Sequence, residues 1–483
     1  MEQPKELVFI PGPGVGHLVS AVEIGRLILS RHQNLSITYL LIDIHPNDKS
    51  LDTYTRSLPS SDTSRLRFTK LHRAQPELGP ELESKPLEVL AALLFDSHKP
   101  YVREAVLEIS KSDSSQVVGI IFDMFCVNLM DVADEFKIPS YVFFTSGAGF
   151  LALMLQAQVI TDEFKQDITE FDMDKELLIP GFLNQVPAKV LPTVMLDKNG
   201  GLDLFMSTAR RIRGSHGIMI NTFLELETDV IKSLSSDDKI PPVFPVGPVI
   251  SLEQNLGDDG GILRWLDNQL ASSVVFLCFG SMGSFNQEQV KEIAVALERT
   301  GYRFLWSLRR RPKDGSVETP SDYENLEEVL PQGFLERTSG VGNVIGWAPQ
   351  LAVLSHPAVG GFVSHCGWNS TLESLWFGVP MAAWPMYAEQ QINAFEMVVE
   401  LGMAVDIKMD YRNKINIDSK VIVTCEEIER GIRQLMNVNE NETRKKVKDM
   451  KEKSHKALME GGSSYDFLGR MIDGIVHDSF SSV

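Results

Sequence analysis

The 483-residue chain is poor in cysteine, in basic charge and in long apolar runs, and each shortage excludes something. Its four cysteines, Cys126, Cys278, Cys366 and Cys425, form no Cys-x-x-Cys pair. So few in so long a chain give no disulfide framework. Cys366 beside His365 lacks the second ligand pair that a zinc site needs, so no metal site is expected. Lysine and arginine number 46 against 65 acidic residues, a formal net charge of −19. That field repels a phosphate polymer, so no nucleic acid partner is expected. A small anion remains allowed, because local donors outweigh a distant, screened field. No run of about 18 apolar residues occurs, so no membrane span is expected. The start, MEQPKELVFIPGPG, has only a short apolar run before Pro11 and lacks the core of a secretory signal. A cytoplasmic protein is the expectation.

What is present is a repeated alternation of strand and helix signals. A chain this long exceeds one core, since cores stop growing at roughly 250–300 residues. Leu7–Ile10, Ile37–Ile42, Val117–Phe122, Ser140–Phe144 and Gly217–Asn221 read as strands, with a helical pattern from Val19 to Ser30. The proline-rich, then acidic and glycine-rich stretch 241–261 reads as a linker. The pattern then restarts with strands Ser273–Phe279 and Arg303–Ser307 around a helix from Gln287 to Glu298. Arg309 to Glu328 reads as an exposed charged loop, and Asn441 to Lys456 as a solvated lysine-rich helix. The expectation is an α/β fold of two facing, Rossmann-like doubly wound parallel-sheet domains. The N-terminal domain would span 1–240 and the C-terminal one 262–460, with a tail, 461–483, packing back on the first. Ligands in such sheets sit beyond the carboxyl ends of the strands, here in the cleft between domains.

Trp347 to Gln390 is the densest stretch: WAPQLAVLSHPAVGGFVSHCGWNSTLESLWFGVPMAAWPMYAEQ. Gly361–His365 reads as a strand and Asn369 to Phe377 as a helix, joined by Cys366-Gly367-Trp368. Free N–H groups at the helix start favour a phosphate, and His365, Asn369 and Ser370 add side-chain donors. Gly280 to Ser284 forms a second strand-to-helix turn able to supply donors. Each residue alone has a plainer reading. Ser370-x-x-Glu373 is also a helix capping box, and His365 or Trp347 could simply be core.

The whole stretch resembles the signature box of plant family-1 UDP-sugar-dependent glycosyltransferases, nearly position for position, and the two-halved layout resembles that family's two-domain GT-B fold. The resemblance implies that Trp347 stacks on uracil while the backbone of Ala348 reads the base edge. Gln350 and Glu373 would hold the ribose hydroxyls. His365, Asn369 and Ser370, with Ser281, would hold the diphosphate, and Trp368, Glu389 and Gln390 the sugar hydroxyls. The family usually has Asp where this chain has Glu389. Gln390 goes with glucose more often than galactose, so UDP-glucose is the expected co-substrate.

Transfer from a UDP-sugar also needs a base. His17 follows the glycine turn after the first strand, and Asp123 ends Val117–Phe122. A parallel sheet puts both at the carboxyl edge of the N-terminal domain. A histidine suits proton removal from a phenol or alcohol, and a buried carboxylate on its second nitrogen fixes the tautomer. Both match the family's His–Asp dyad, and the resemblance places Thr145 near the donor sugar. The expected reaction is a single inverting displacement. No Asp-x-Asp pair occurs in the donor region, so no cofactor and no metal are expected.

Two rival readings stand beside this one. Gly12-Pro13-Gly14-Val15-Gly16 invites a dinucleotide-binding turn, with Asp43 downstream, but His17 stands where the last glycine should be and Pro13 removes a backbone donor. The other rival is a non-catalytic binder of UDP-sugar or a hormone-like aglycone. The acceptor is expected to be small and hydrophobic, flavonoid, phenolic or triterpenoid, in a pocket near Phe125, Phe150, Leu153 and Met195. A monomer is expected.

Overall fold

The structure, a computed structural model, describes residues 4–42, 50–58, 64–72, 85–111, 115–252, 261–312, 319–413, 421–437 and 442–477. Asp43 and Asn441 lie outside them, as does 253–260 of the expected linker.

Seven parallel strands form the N-terminal sheet: β1 (Lys5–Ile10), β2 (Leu35–Leu41), β3 (Leu66–Lys70), β4 (Gln116–Asp123), β5 (Ser140–Phe144), β6 (Ile218–Ile220) and β7 (Val243–Pro245). Their spatial order is β3-β2-β1-β4-β5-β6-β7. The C-terminal sheet holds six: β8 (Val274–Cys278), β9 (Arg303–Ser307), β10 (Gly342–Ile345), β11 (Val359–Ser364), β12 (Met381–Ala383) and β13 (Ala404–Asp406), in the order β10-β9-β8-β11-β12-β13. All pairings in both sheets are parallel. Side chains alternate between faces along a strand, so each sheet feeds two apolar layers. Val8 and Ile10 enter one N-terminal cluster, Leu7 and Phe9 the other. Val275 and Leu277 enter one C-terminal cluster, Val274 and Phe276 the other.

Helices that matter for the site are α1 (Val15–Arg31), α2 (Ala148–Asp162), α3 (Trp368–Phe377), α4 (Gln390–Phe395) and α5 (Ser463–Val476). On the α5 face, Leu468, Met471, Ile472 and Ile475 join the N-terminal cluster of Leu7 and Phe9.

Two expectations need correction. Val243–Pro245 pairs with Ile218–Ile220 as the edge strand of the first sheet, so the N-terminal unit runs past residue 240 and the linker begins later. Its one proline, Pro245, suits an edge, where a missing donor costs least. Arg309 to Glu328 is not simply a loop either: Arg309–Arg310 and Ser321–Asp322 pair antiparallel. Among the described residues, no helix is long and apolar enough to cross a membrane.

Candidate active site

In each sheet the strand order reverses beside the first strand, and ligands in open parallel sheets sit at that switch point. In the first sheet the switch lies between β1 and β4, where Ile10 is level with Phe122. His17, in the first turn of α1, and Asp123, the last residue of β4, converge there. His17 Nδ1 lies 2.9 Å from Asp123 Oδ2. Asp123 Oδ1 accepts the Phe125 N–H at 2.9 Å, which fixes the carboxylate. A Cβ on Gly12 would lie 2.8 Å from Asp123 Oδ1 and 3.1 Å from His17 Cγ, so the turn must be glycine there. The His17 side chain is 29% exposed and that of Asp123 1%. With Nδ1 held by Asp123, Nε2 is the nitrogen left for the cleft. Thr145 Oγ1 lies 3.4 Å from His17 Nδ1. Burial opposes the imidazolium, but Asp123 and then Glu389 outweigh it, and the His17 pKa moves up.

In the second sheet the switch lies between β8 and β11. His365 follows β11, and its Nε2 sits where a Cβ on Gly280 or on Gly367 would come within 2.6 Å. The ring is therefore clasped between the two strand-to-helix turns. Gly280 has φ 74°, and Cys366, a non-glycine, has φ 61°. Such backbone strain gathers at functional sites. Burial drives the His365 pKa down to about 4, so it is neutral near pH 7. Its buried Nδ1 has no partner. A proton on Nε2 leaves only an acceptor unmatched inside and presents a neutral donor between the turns. Asn369 is exposed and Ser281 is exposed in the β8 turn.

Helix α3 is capped by Gly367 without a side-chain bond, so the capping-box reading of Ser370 and Glu373 does not hold. Instead Gln350 Nε2 donates to Ser370 Oγ at 2.8 Å and to Glu373 Oε2 at 2.6 Å. Burial pushes Glu373 up to about 7, against the Gln350 hydrogen bond. Trp347 is 59% exposed, while Ala348 is buried. The Arg309 guanidinium lies 5.1 Å from the Trp347 ring centroid. Asp322 accepts the Trp347 N–H at 3.1 Å and pairs with Arg309 at 3.1 Å. The short hairpin thus holds Trp347, a role its sequence gave no periodic signal for.

Trp368 departs from expectation. Its ring is buried, and its indole N–H donates to the Asn221 carbonyl oxygen at 2.6 Å. A Cβ on Gly147 would lie 2.7 Å from the ring. The side chain is committed to the N-terminal domain, leaving only the backbone N–H for a sugar. Gln390 is buried, and its Oε1 accepts the N–H groups of Met386 and Tyr387 at 2.9 and 3.0 Å. Only its amide nitrogen remains for a hydroxyl. Glu389 caps α4 after Ala388, which has φ 54°. Burial raises its pKa, and His17, across the cleft, lowers it.

Of the expected acceptor residues, Phe125 is 49% exposed and its ring meets that of His17 edge-on at 5.0 Å. Phe150, Leu153 and Met195 instead pack in the N-terminal core and present almost no surface. Their apolar spacing reflects α2 and its partners packing together, not an open pocket.

The His17–Asp123 pair of one domain thus lies within electrostatic reach of Glu389 on the other. Residues 263–423 match the family model described as UDP-glucoronosyl and UDP-glucosyl transferase. A UDP-glucose flavonoid 3-O-glucosyltransferase from Fragaria ananassa is 51% identical, over 98% of this chain and 99% of that protein. The chain belongs to the plant family-1 UDP-glycosyltransferases. Two solved structures agree over the full length. A transferase from Siraitia grosvenorii in complex with UDP superposes with TM-score 0.88 at 48% identity, covering 98% of this chain and 100% of that one. Medicago truncatula UGT71G1 complexed with UDP-glucose gives 0.84 at 42% identity, covering 98% of each. This UDP-glycosyltransferase therefore has the GT-B arrangement of two Rossmann-like domains.

Proposed function

We propose that the protein transfers glucose from UDP-glucose to a hydroxyl of a small hydrophobic plant metabolite, a flavonoid or other phenolic or a triterpenoid, with inversion at the anomeric carbon. The observation that carries this is the His17–Asp123 pair, 2.9 Å apart, with Glu389 of the other domain close enough to raise the His17 pKa. His17 takes the acceptor proton on Nε2. The freed oxygen forms a bond to the anomeric carbon on the face opposite UDP, and the bond from that carbon to the phosphate oxygen breaks. Asp123 stabilises the imidazolium that results. UDP leaves against the His365 N–H, Ser281, Asn369 and the free N–H groups at the start of α3, which meet charge where it develops. Trp347 and Ala348 would take uracil, Gln350 and Glu373 the ribose. Glu389, the amide of Gln390 and the Trp368 backbone would take the sugar.

Glucose is favoured by Gln390 and by the UDP-glucose bound to the Medicago relative. The strawberry relative acts on flavonoids, and the exposed Phe125 ring beside His17 offers a flat apolar surface to such a ring. The neutral and backbone donors at the diphosphate make a divalent metal unnecessary, so transfer should survive EDTA unchanged. Incubation with UDP-glucose and a panel of phenolic and terpenoid acceptors, read by mass, tests the reading. A hexose-sized mass gain is expected. UDP-glucose binding with no transfer to any acceptor would make the protein a binder instead.

A further inference from the structure

The domain interface buries two carboxyl groups that the reaction does not use. Glu227 and Glu396 are each 2% exposed. Glu227 belongs to the N-terminal domain, and its Oε1 accepts the Gly149 N–H at 2.6 Å. Glu396 comes from the C-terminal domain and lies on the same glycine, where a Cβ would come within 2.6 Å of its Oε2. The two carboxyls therefore close on one glycine from opposite domains, near enough for each to act on the other's titration. Oε2 of each is buried without a hydrogen-bond partner among the described residues. Two carboxylates so placed cannot both be ionised, and a single proton between them satisfies both oxygens.

The pair also sits between the two halves of the site. Glu396 opens a wide turn, Leu401 N–H to Glu396 O at 2.9 Å, that continues α4 without a break. Glu389 and Gln390 stand at the other end of that helix. Gly149 lies in the first turn of α2, just after Thr145, which contacts His17. Beside the pair, Phe182 stacks on Phe395 with centroids 6.3 Å apart, and Glu400 accepts the N–H groups of Leu183 and Asn184 at 2.8 and 2.9 Å.

We propose that Glu227 and Glu396 are positioning residues that share one proton across the domain interface, and that this proton keeps Glu389 and Gln390 in register with His17. The second clause rests on the glycosyl-transfer reading; the first does not. The groups that face the pair are the Thr222 hydroxyl, the N–H groups of Ala148 and Gly149, and Glu400, none of them a cation. Burial, then Glu227 and Glu400, holds the Glu396 carboxyl well above the ordinary carboxylate range. Burial also raises Glu227, against Thr222 and the two N–H groups. The folded protein therefore holds a proton that the unfolded chain releases. Stability from the pair is greatest at low pH and falls as pH rises through the raised value.

Glu396→Gln keeps a donor for Glu227 and removes the titration. Thermal unfolding of the full chain is followed against pH for wild type, Glu396→Gln and Glu396→Ala, with kcat/KM for transfer from UDP-glucose measured alongside. The Tm difference between Glu396→Gln and wild type should grow with pH by at least about 2 °C. The alkaline fall of kcat/KM should be smaller in Glu396→Gln than in wild type. Glu396→Ala should lose about 10²-fold in kcat/KM, the size of a roughly 1 Å misplacement, and Glu396→Gln should recover most of it. Parallel Tm curves for wild type and Glu396→Gln would overturn the shared proton. Equal kcat/KM losses in the Ala and Gln variants would overturn the positioning role. If wild type transfers no sugar, the glycosyl-transfer reading fails, while the Tm curves still decide the shared proton.

Discussion

The indole N–H of Trp368 donates to the carbonyl oxygen of Asn221 at 2.6 Å, tying the first residue of the donor helix to the end of a strand in the other domain. Trp368→Phe keeps the apolar ring but leaves that buried carbonyl without its donor. A loss of about 1–3 kcal/mol in unfolding free energy is expected, the cost of an orphaned buried group. Urea unfolding measures it. Because the indole is engaged by Asn221 and Gly147 of the other domain, the Kd for UDP should change less than the stability does.

His17→Ala should lower kcat/KM by at least about 10²-fold, the usual size of general-base catalysis. UDP affinity, read by calorimetry, should stay as it was. Retained full turnover would remove His17 from the mechanism.

Asp123 and Glu389 raise the His17 pKa over the opposing effect of burial. On the proposed mechanism the neutral imidazole takes the proton, so kcat/KM should rise with pH through that raised value. Asp123→Asn removes the larger upward push. Its acid limb should move to lower pH, with a lower plateau as the tautomer is lost. An acid limb that stays in place would show that another group controls it.

Glu373 is raised to about 7 by burial. Ribose hydroxyls donate to the ionised form, so UDP binding should release a proton and tighten as pH rises through about 7. Glu373→Gln should bind with an affinity flat across that range. Calorimetry in buffers of different ionisation enthalpy would detect the released proton.

Trp347 keeps much of its ring exposed while Arg309 lies over it. Stacking on a base contributes roughly 1–3 kcal/mol, so Trp347→Ala should weaken UDP about tenfold or more. Unchanged affinity would contradict the stacking role.

Much of this was legible in the chain. Buried apolar runs such as Val117–Phe122 and Ser273–Phe279 declare strands because their period and length leave little else. The dense turn residues between Trp347 and Gln390 mark the donor half and carry the family likeness. A short strand such as Gly342–Ile345 escaped, being too brief for periodicity to register. Local sequence cannot say which of two possible partners a side chain will meet. Trp368 reads as a sugar contact until the domains close and Asn221 takes its indole. Ser370 and Glu373 read as a cap until Gln350 reaches them from another helix. Phe150 and Met195 read as pocket until the packing of α2 buries them. The sequence by itself determined the two sheets, the family motif and the histidine and aspartate that end up paired. Only the tertiary structure decided which groups are free, because burial and hydrogen-bond saturation arise between segments far apart in the chain. Glu227 and Glu396 meet across 169 positions of sequence, and nothing local to either foretells the other.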